Sequence, residues 1–189
     1  MGNGEGKIHP APARRITKRH QEEPPKNLNS YRISEADRLG EGGPKQKFQQ
    51  NLKAIQTLRM LDAEERPATD EEKAALVKYV GWGAMPQVFD VDSTDWRKEQ
   101  IQLSEILSDE EHRSARATTL NAHYTAPTVV SAMYRAAERF GFKGGRVLEP
   151  ACGIGHFVGL MPEETLRRST VTGIEIDPLT ARIAKALYS

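Results

Sequence analysis

The stretch from Arg146 to Pro178 constrains this chain most. Arg146-Val147-Leu148-Glu149 has the apolar character of a short buried strand, and Pro150-Ala151-Cys152-Gly153-Ile154-Gly155 turns the chain out of it. A helical stretch then runs to about Arg168, with a break expected at Pro162, which has no N–H to donate. Val171-Thr172-Gly173-Ile174-Glu175-Ile176 reads as a second strand. Asp177 and Pro178 suit the N-cap and first position of a further helix, from Leu179 to the chain end. Strand, helix and strand at this spacing predict a parallel pair joined by a right-handed crossover.

The loop inside this unit has the physics of a nucleotide site. Gly153 and Gly155 let the backbone turn tightly and approach a ligand with no Cβ in the way. The helix that follows points free N–H groups at the ligand's anionic end. Glu175 closes the second strand, where an acid reaches ribose hydroxyls. Two cofactor classes share this geometry. A dinucleotide site calls for a third glycine at 158, but 158 is valine and the next glycine is Gly159. Glu149, just before the loop, would repel a pyrophosphate and suits a ligand with a cationic amino group, such as the methionine part of S-adenosylmethionine. Cys152 has no His or Asn partner pattern and reads as a small residue in a tight loop. His156 reads as a surface or loop residue, and His123 and Tyr124 as local packing.

Upstream, the chain reads as helical. Phe48, Leu52, Ile55, Leu58 and Leu61 recur at three- and four-residue steps, one face of an amphipathic helix from Phe48 to Ala63. Thr69 and Glu72 have capping-box spacing ahead of Ala74, Leu76, Val77 and Val80, which predicts a second helix ended by Gly81-Trp82-Gly83. Ser108 with Glu111 opens a short helix near 109–118. Residues 31–44 are expected to be extended, with a turn at 40–44. Thr128 to Phe140 is helical, with Val129, Val130, Met133, Tyr134 and Ala137 on its buried side. Trp82 and Trp96 read as packing anchors of the helical lead-in.

Charge divides the chain similarly. Over residues 1–60, 12 Lys and Arg stand against 6 Asp and Glu; over 61–120 it is 7 against 14, and over 121–189 it is 8 against 6. The basic head includes Arg14, Arg15, Lys18 and Arg19 among glycines and prolines, so 1–30 is expected to be a disordered basic tail, able to contact phosphates. A helical lead-in follows over 31–118, and an α/β part over 119–189. No window approaches ~18 consecutive apolar residues, which argues against a membrane span. A single cysteine rules out an internal disulfide framework and a multi-cysteine zinc site; no metal site is expected, and a reducing, cytoplasmic location is.

Three short segments together resemble a known family. Leu148-Glu149-Pro150-Ala151-Cys152-Gly153-Ile154-Gly155-His156-Phe157 is similar to motif I of the gamma-type adenine-N6 DNA methyltransferases. Gly173-Ile174-Glu175-Ile176-Asp177-Pro178 resembles their motif II, and His123-Tyr124-Thr125-Ala126-Pro127-Thr128-Val129-Val130 their motif X. Leu39-Gly40-Glu41-Gly42-Gly43-Pro44-Lys45 and Tyr79-Val80-Gly81-Trp82-Gly83 resemble the N-terminal region of large phage- and plasmid-borne proteins that fuse such a methylase to a superfamily-two helicase.

The resemblance implies an α/β fold: an incomplete Rossmann-like methyltransferase domain (βαβ) over 119–189, preceded by the helical N-terminal region. It implies S-adenosyl-L-methionine as cofactor and DNA as partner through the complete protein. Glu149 would hold the methionine amino end, and Pro150, Ala151, Gly153 and Gly155 would line the loop. Glu175 would bind the ribose, Ile176 would flank the adenine, and Thr125 would meet the methionine end. Motif IV, the D/N/S-P-P-Y/F/W tetrapeptide that accepts the target amino group, is absent from the sequence, whose only Pro-Pro is Pro24-Pro25. No catalytic residue is therefore assigned, and the 189 residues are expected to be inactive alone, with the missing methyltransferase and helicase part as partner. The alternative is a non-enzymatic truncated fragment or nucleic-acid-associated protein. A NAD-dependent dehydrogenase is disfavoured by Val158 and the motif X match.

Overall fold

The computed structural model describes residues 30–120 and 124–188. The tail expected over 1–30 therefore falls, except for Ser30, outside the described residues, as does His123. Helix α1 (Pro44–Glu64) starts on a proline, whose missing N–H is harmless in a first turn. Its apolar stripe is buried: Phe48, Leu52, Ile55, Leu58 and Leu61 all lie in the core. Helix α2 (Asp70–Leu76) opens on the expected capping box, with the Glu72 N–H donating to Thr69 Oγ1 (3.3 Å) and the Thr69 N–H to the Glu72 carboxylate (2.8 Å).

Helix α2 stops at Leu76 and does not reach Val80. A buried amide in α1 is the reason. Asn51 Oδ1 accepts the Val80 N–H (2.9 Å) and Asn51 Nδ2 donates to the Gly81 carbonyl (2.6 Å). These bonds give the backbone a better-satisfied path than another helical turn, and Gly81 takes the left-handed φ of 65° that the bend needs. Two 3₁₀ turns, Pro86–Phe89 and Thr94–Trp96, lead into helix α3 (Arg97–Ile106), which the sequence pattern did not announce. Helix α4 (Asp109–Thr118) follows with the Ser108–Glu111 capping box in place.

The C-terminal part contains helix α5 (Pro127–Arg139), strand β1 (Arg146–Glu149), the short helices α6 (His156–Gly159) and α7 (Glu163–Arg167), strand β2 (Thr170–Gly173) and helix α8 (Pro178–Tyr188). The break at Pro162 and the Asp177 N-cap are as expected; the Thr180 N–H donates to Asp177 Oδ2 at 2.9 Å. The strands pair in parallel, with Arg146 opposite Thr170 and Glu149 opposite Gly173. The chain is thus mixed α/β, mostly helical, with one two-stranded parallel sheet among the described residues. Strand β2 ends at Gly173, short of the expected Ile176.

Helix α5 corrects a second expectation. Of its apolar residues only Val130 is buried, while Val129 and Met133 are half exposed. A two-stranded sheet is too narrow to cover the whole stripe, and Leu148 on the sheet is 61% exposed.

One hydrophobic core runs through both parts of the chain. Phe48, Leu76, Tyr79, Trp82, Phe89 and Trp96 from the helical region join Ile154, Leu179, Ile183 and Leu187. Trp82 sits among Phe48, Tyr79 and Phe89, with ring centroids 5.5–6.3 Å apart and edge-to-face or tilted planes. Trp96 is likewise buried, and the Lys45 ammonium lies 4.0 Å over its ring. An extended strap binds the two parts from outside. The Tyr31 N–H donates to Leu187 O (2.9 Å) and the Ile33 N–H to Gly159 O (3.1 Å). The Arg32 guanidinium donates to the carbonyls of Val158 and Met161, where α6 ends and a cation is favoured. Among the described residues no helix is long and apolar enough to cross a membrane.

Candidate functional site

The parallel pairing brings the ends of β1 and β2 side by side, with the glycine loop above them. Gly153 (φ 54°) and Gly155 (φ 87°) hold the left-handed conformations that make the loop tight. Beyond the strands the ladder continues: the Ile174 N–H donates to Glu149 O and the Cys152 N–H to Ile174 O, both at 2.9 Å. The loop is therefore clamped to the chain that follows β2.

Glu175 is the centre of that clamp. Its Oε2 accepts the Gly153 N–H and its Oε1 accepts the Asp177 N–H, each at 2.9 Å. A carboxylate oxygen has a further lone pair, so hydroxyl groups of a ligand can still be bound. The carboxylate nonetheless has a structural duty that the sequence pattern did not reveal.

The two glycines also serve packing. A Cβ on Gly153 would stand 2.9 Å from Tyr124 Cε1, and one on Gly155 would overlap the Tyr188 ring. Two tyrosine rings thus occupy the faces that the sequence pattern reserved for a ligand. Tyr124 also lies against the His156 imidazole, with ring centroids 5.1 Å apart.

His156 differs from its expected surface place: it is 6% exposed. Neither ring nitrogen has a well-formed hydrogen bond among the described residues, although the Thr125 backbone is close enough to favour the proton slightly. Burial dominates and pulls the imidazole below its ordinary pKa. The unfolded chain then binds more protons than the folded one once the pH falls below about 6.5. Stability is expected to decline from there downwards and to level off below the folded-state pKa. His156→Phe should remove this part of the pH dependence, measured as urea midpoints between pH 7.5 and 5. An unchanged slope would contradict a neutral buried imidazole.

Glu149 stands apart from Glu175. Its side chain lines a mostly apolar cavity of about 190 Å³ between α5, β1 and α6, beside Tyr134, Val147 and Phe157. It has no ion pair among the described residues. Burial first, then the Glu149 charge, pushes the Tyr134 hydroxyl up to about 12. Thr125, Pro150 and Ala151 are exposed at the loop's margin, and Ile176 is 92% exposed next to Glu175. Cys152 is a free thiol pushed upward first by burial and then by the Glu175 charge, the opposite of what activates a nucleophile. Among the described residues no cluster of His, Cys, Asp or Glu is placed to hold a metal ion. A larger groove of about 380 Å³ lies between α1 and α3, lined by none of the loop residues. Its guanidinium, Arg59, is already paired with Glu111.

The structure therefore gathers Gly153, Gly155 and Glu175 around one loop, with Glu149 on its α5 side. Sequence reasoning did not assign Tyr188 a contact with the loop and gave no role to Ser114, whose hydroxyl reaches Asp177 (2.7 Å) from helix α4. Neither carries a local signal, because each acts through contacts remote in sequence. No protein-family model, curated protein or solved structure matches the chain.

Proposed function

We propose that residues 124–188 form the S-adenosylmethionine-binding part of an adenine-N6 DNA methyltransferase, the start of a Rossmann-like domain working within a larger methylase–helicase protein. The observation that carries this reading is the parallel pairing of β1 and β2, which puts Glu149 and Glu175 at the same end of the sheet beside a left-handed glycine loop. That is where open α/β sheets bind ligands. The donor set fits the cofactor chemically. Glu149 is a carboxylate with no ion pair among the described residues, suited to a cationic amino group, and Glu175 offers its remaining lone pairs to ribose hydroxyls. Ile176 is an exposed apolar side chain for one face of an adenine. Thr125 would meet the methionine end, and the backbone of Pro150, Ala151, Gly153 and Gly155 would line the approach.

S-adenosylmethionine, when bound, supplies the electrophilic methyl group. The chain's own residues hold and orient the donor, a contribution through positioning. The target adenine would come from DNA, flipped out of its stack by the complete protein. Calorimetry with S-adenosylhomocysteine and with NAD tests the reading. Binding of the former and none of NAD is expected, since Glu149 disfavours a pyrophosphate. Tighter binding of NAD would overturn it.

A second reading is non-enzymatic. It is favoured by the tyrosine rings on both glycines and by the two N–H groups on Glu175, which make the loop an architectural turn. Absence of heat with either ligand would support it.

A further inference from the structure

The glycine loop is not an isolated feature of the C-terminal part. A short run of hydrogen bonds ties it to the helical region. Ser114, on α4, donates through Oγ to Asp177 Oδ1 at 2.7 Å. The Asp177 N–H donates to Glu175 Oε1 at 2.9 Å, and Glu175 Oε2 accepts the Gly153 N–H at 2.9 Å. Three bonds thus span from a helix of the N-terminal region to the loop. Asp177 is buried, and its other oxygen is taken by the Thr180 N–H and hydroxyl at the start of α8. Among the described residues its Oδ1 accepts a hydrogen bond from Ser114 alone.

We infer that Ser114 is a positioning residue for the glycine loop, acting through Asp177 and Glu175, so that the placement of helix α4 is read out at Gly153 and at the Glu175 carboxylate. The physical reason is the cost of an unsatisfied buried acceptor. Without the Ser114 hydroxyl, Asp177 Oδ1 must find another donor, and the available movement is a shift of Asp177 toward water. That shift moves the Asp177 N–H away from Glu175 and frees the carboxylate that holds the Gly153 N–H. Any ligand of the loop, the cofactor proposed above included, would then meet a looser Glu175; this last consequence rests on that proposal.

Amide hydrogen exchange on the full chain tests the relay without any ligand. Ser114→Ala is expected to speed exchange at Gly153 and Asp177 by roughly tenfold, while amides in the middle of α1, such as Leu58, keep their rates. Ser114→Thr, which restores a hydroxyl, should return both amides toward wild type. Unchanged exchange at Gly153 in Ser114→Ala would overturn the inference. So would an equal acceleration at Leu58, which signals general destabilisation, or a failure of Ser114→Thr to rescue. Titration with S-adenosylhomocysteine forms a second arm. If the wild type binds, Ser114→Ala should bind about tenfold more weakly, and equal binding would overturn the coupling to the ligand site. If the wild type does not bind, the cofactor reading fails and the exchange result decides the relay.

Discussion

Trp82→Ala is expected to cost about 3–5 kcal/mol, the usual range for emptying a fully buried aromatic site. Trp82 is completely buried and touches the rings of Phe48, Tyr79 and Phe89. Against a typical total of about 5–15 kcal/mol, that is a large fraction. Urea unfolding followed by far-ultraviolet circular dichroism measures it. The transition should stay single, because the same core includes Ile154, Ile183 and Leu187 from the C-terminal part. A loss below about 1 kcal/mol would contradict the packing, as would two separate transitions.

Glu175→Ala should have the next largest effect. Two backbone N–H groups lose a charged acceptor, and hydrogen bonds to charged groups are worth about 1.5–3 kcal/mol each. Glu175 is only half buried, so water can replace part of this, and the lower end of that range is expected for the pair. On the cofactor reading proposed above, binding of S-adenosylhomocysteine should also disappear, since the loop geometry and the proposed ribose acceptor go together. The two effects are separable: thermal unfolding reports the clamp with no ligand present, and titration reports the acceptor. A variant as stable as wild type would show that Glu175 does not hold the loop.

Local features of the fold were legible because their causes are local. The capping boxes at Thr69 and Ser108, the stripe of α1, the break at Pro162 and the Asp177 N-cap each depend on residues within a few positions of one another. What escaped the sequence depends on contacts between distant residues. Asn51 ends α2 by bonding Val80 and Gly81, and nothing around Asn51 announces it. The apolar stripe of α5 predicts more burial than the helix has, since an amphipathic pattern says which face is apolar and not how much surface there is to cover it. The structure brings Gly153, Gly155 and Glu175 to one loop. Their second roles, as seats for two tyrosine rings and as a backbone clamp, lie in pairings that spacing does not encode.

The strap across α6 and α8 has a consequence for how the protein is made. Ile33 cannot meet Gly159, nor Tyr31 the carbonyl of Leu187, until the ribosome has synthesised the last of those partners. The core closes equally late, because Ile183 and Leu187 pack with residues as early as Phe48. At about 5–20 residues per second, the hundred or so residues between Trp82 and Leu187 take on the order of 5–20 s. During that interval the nascent chain carries the aromatic cluster of Phe48, Tyr79 and Trp82 without its final helical cover. Vectorial synthesis therefore leaves a window in which apolar surface is open to chaperones, and it closes only when α8 arrives.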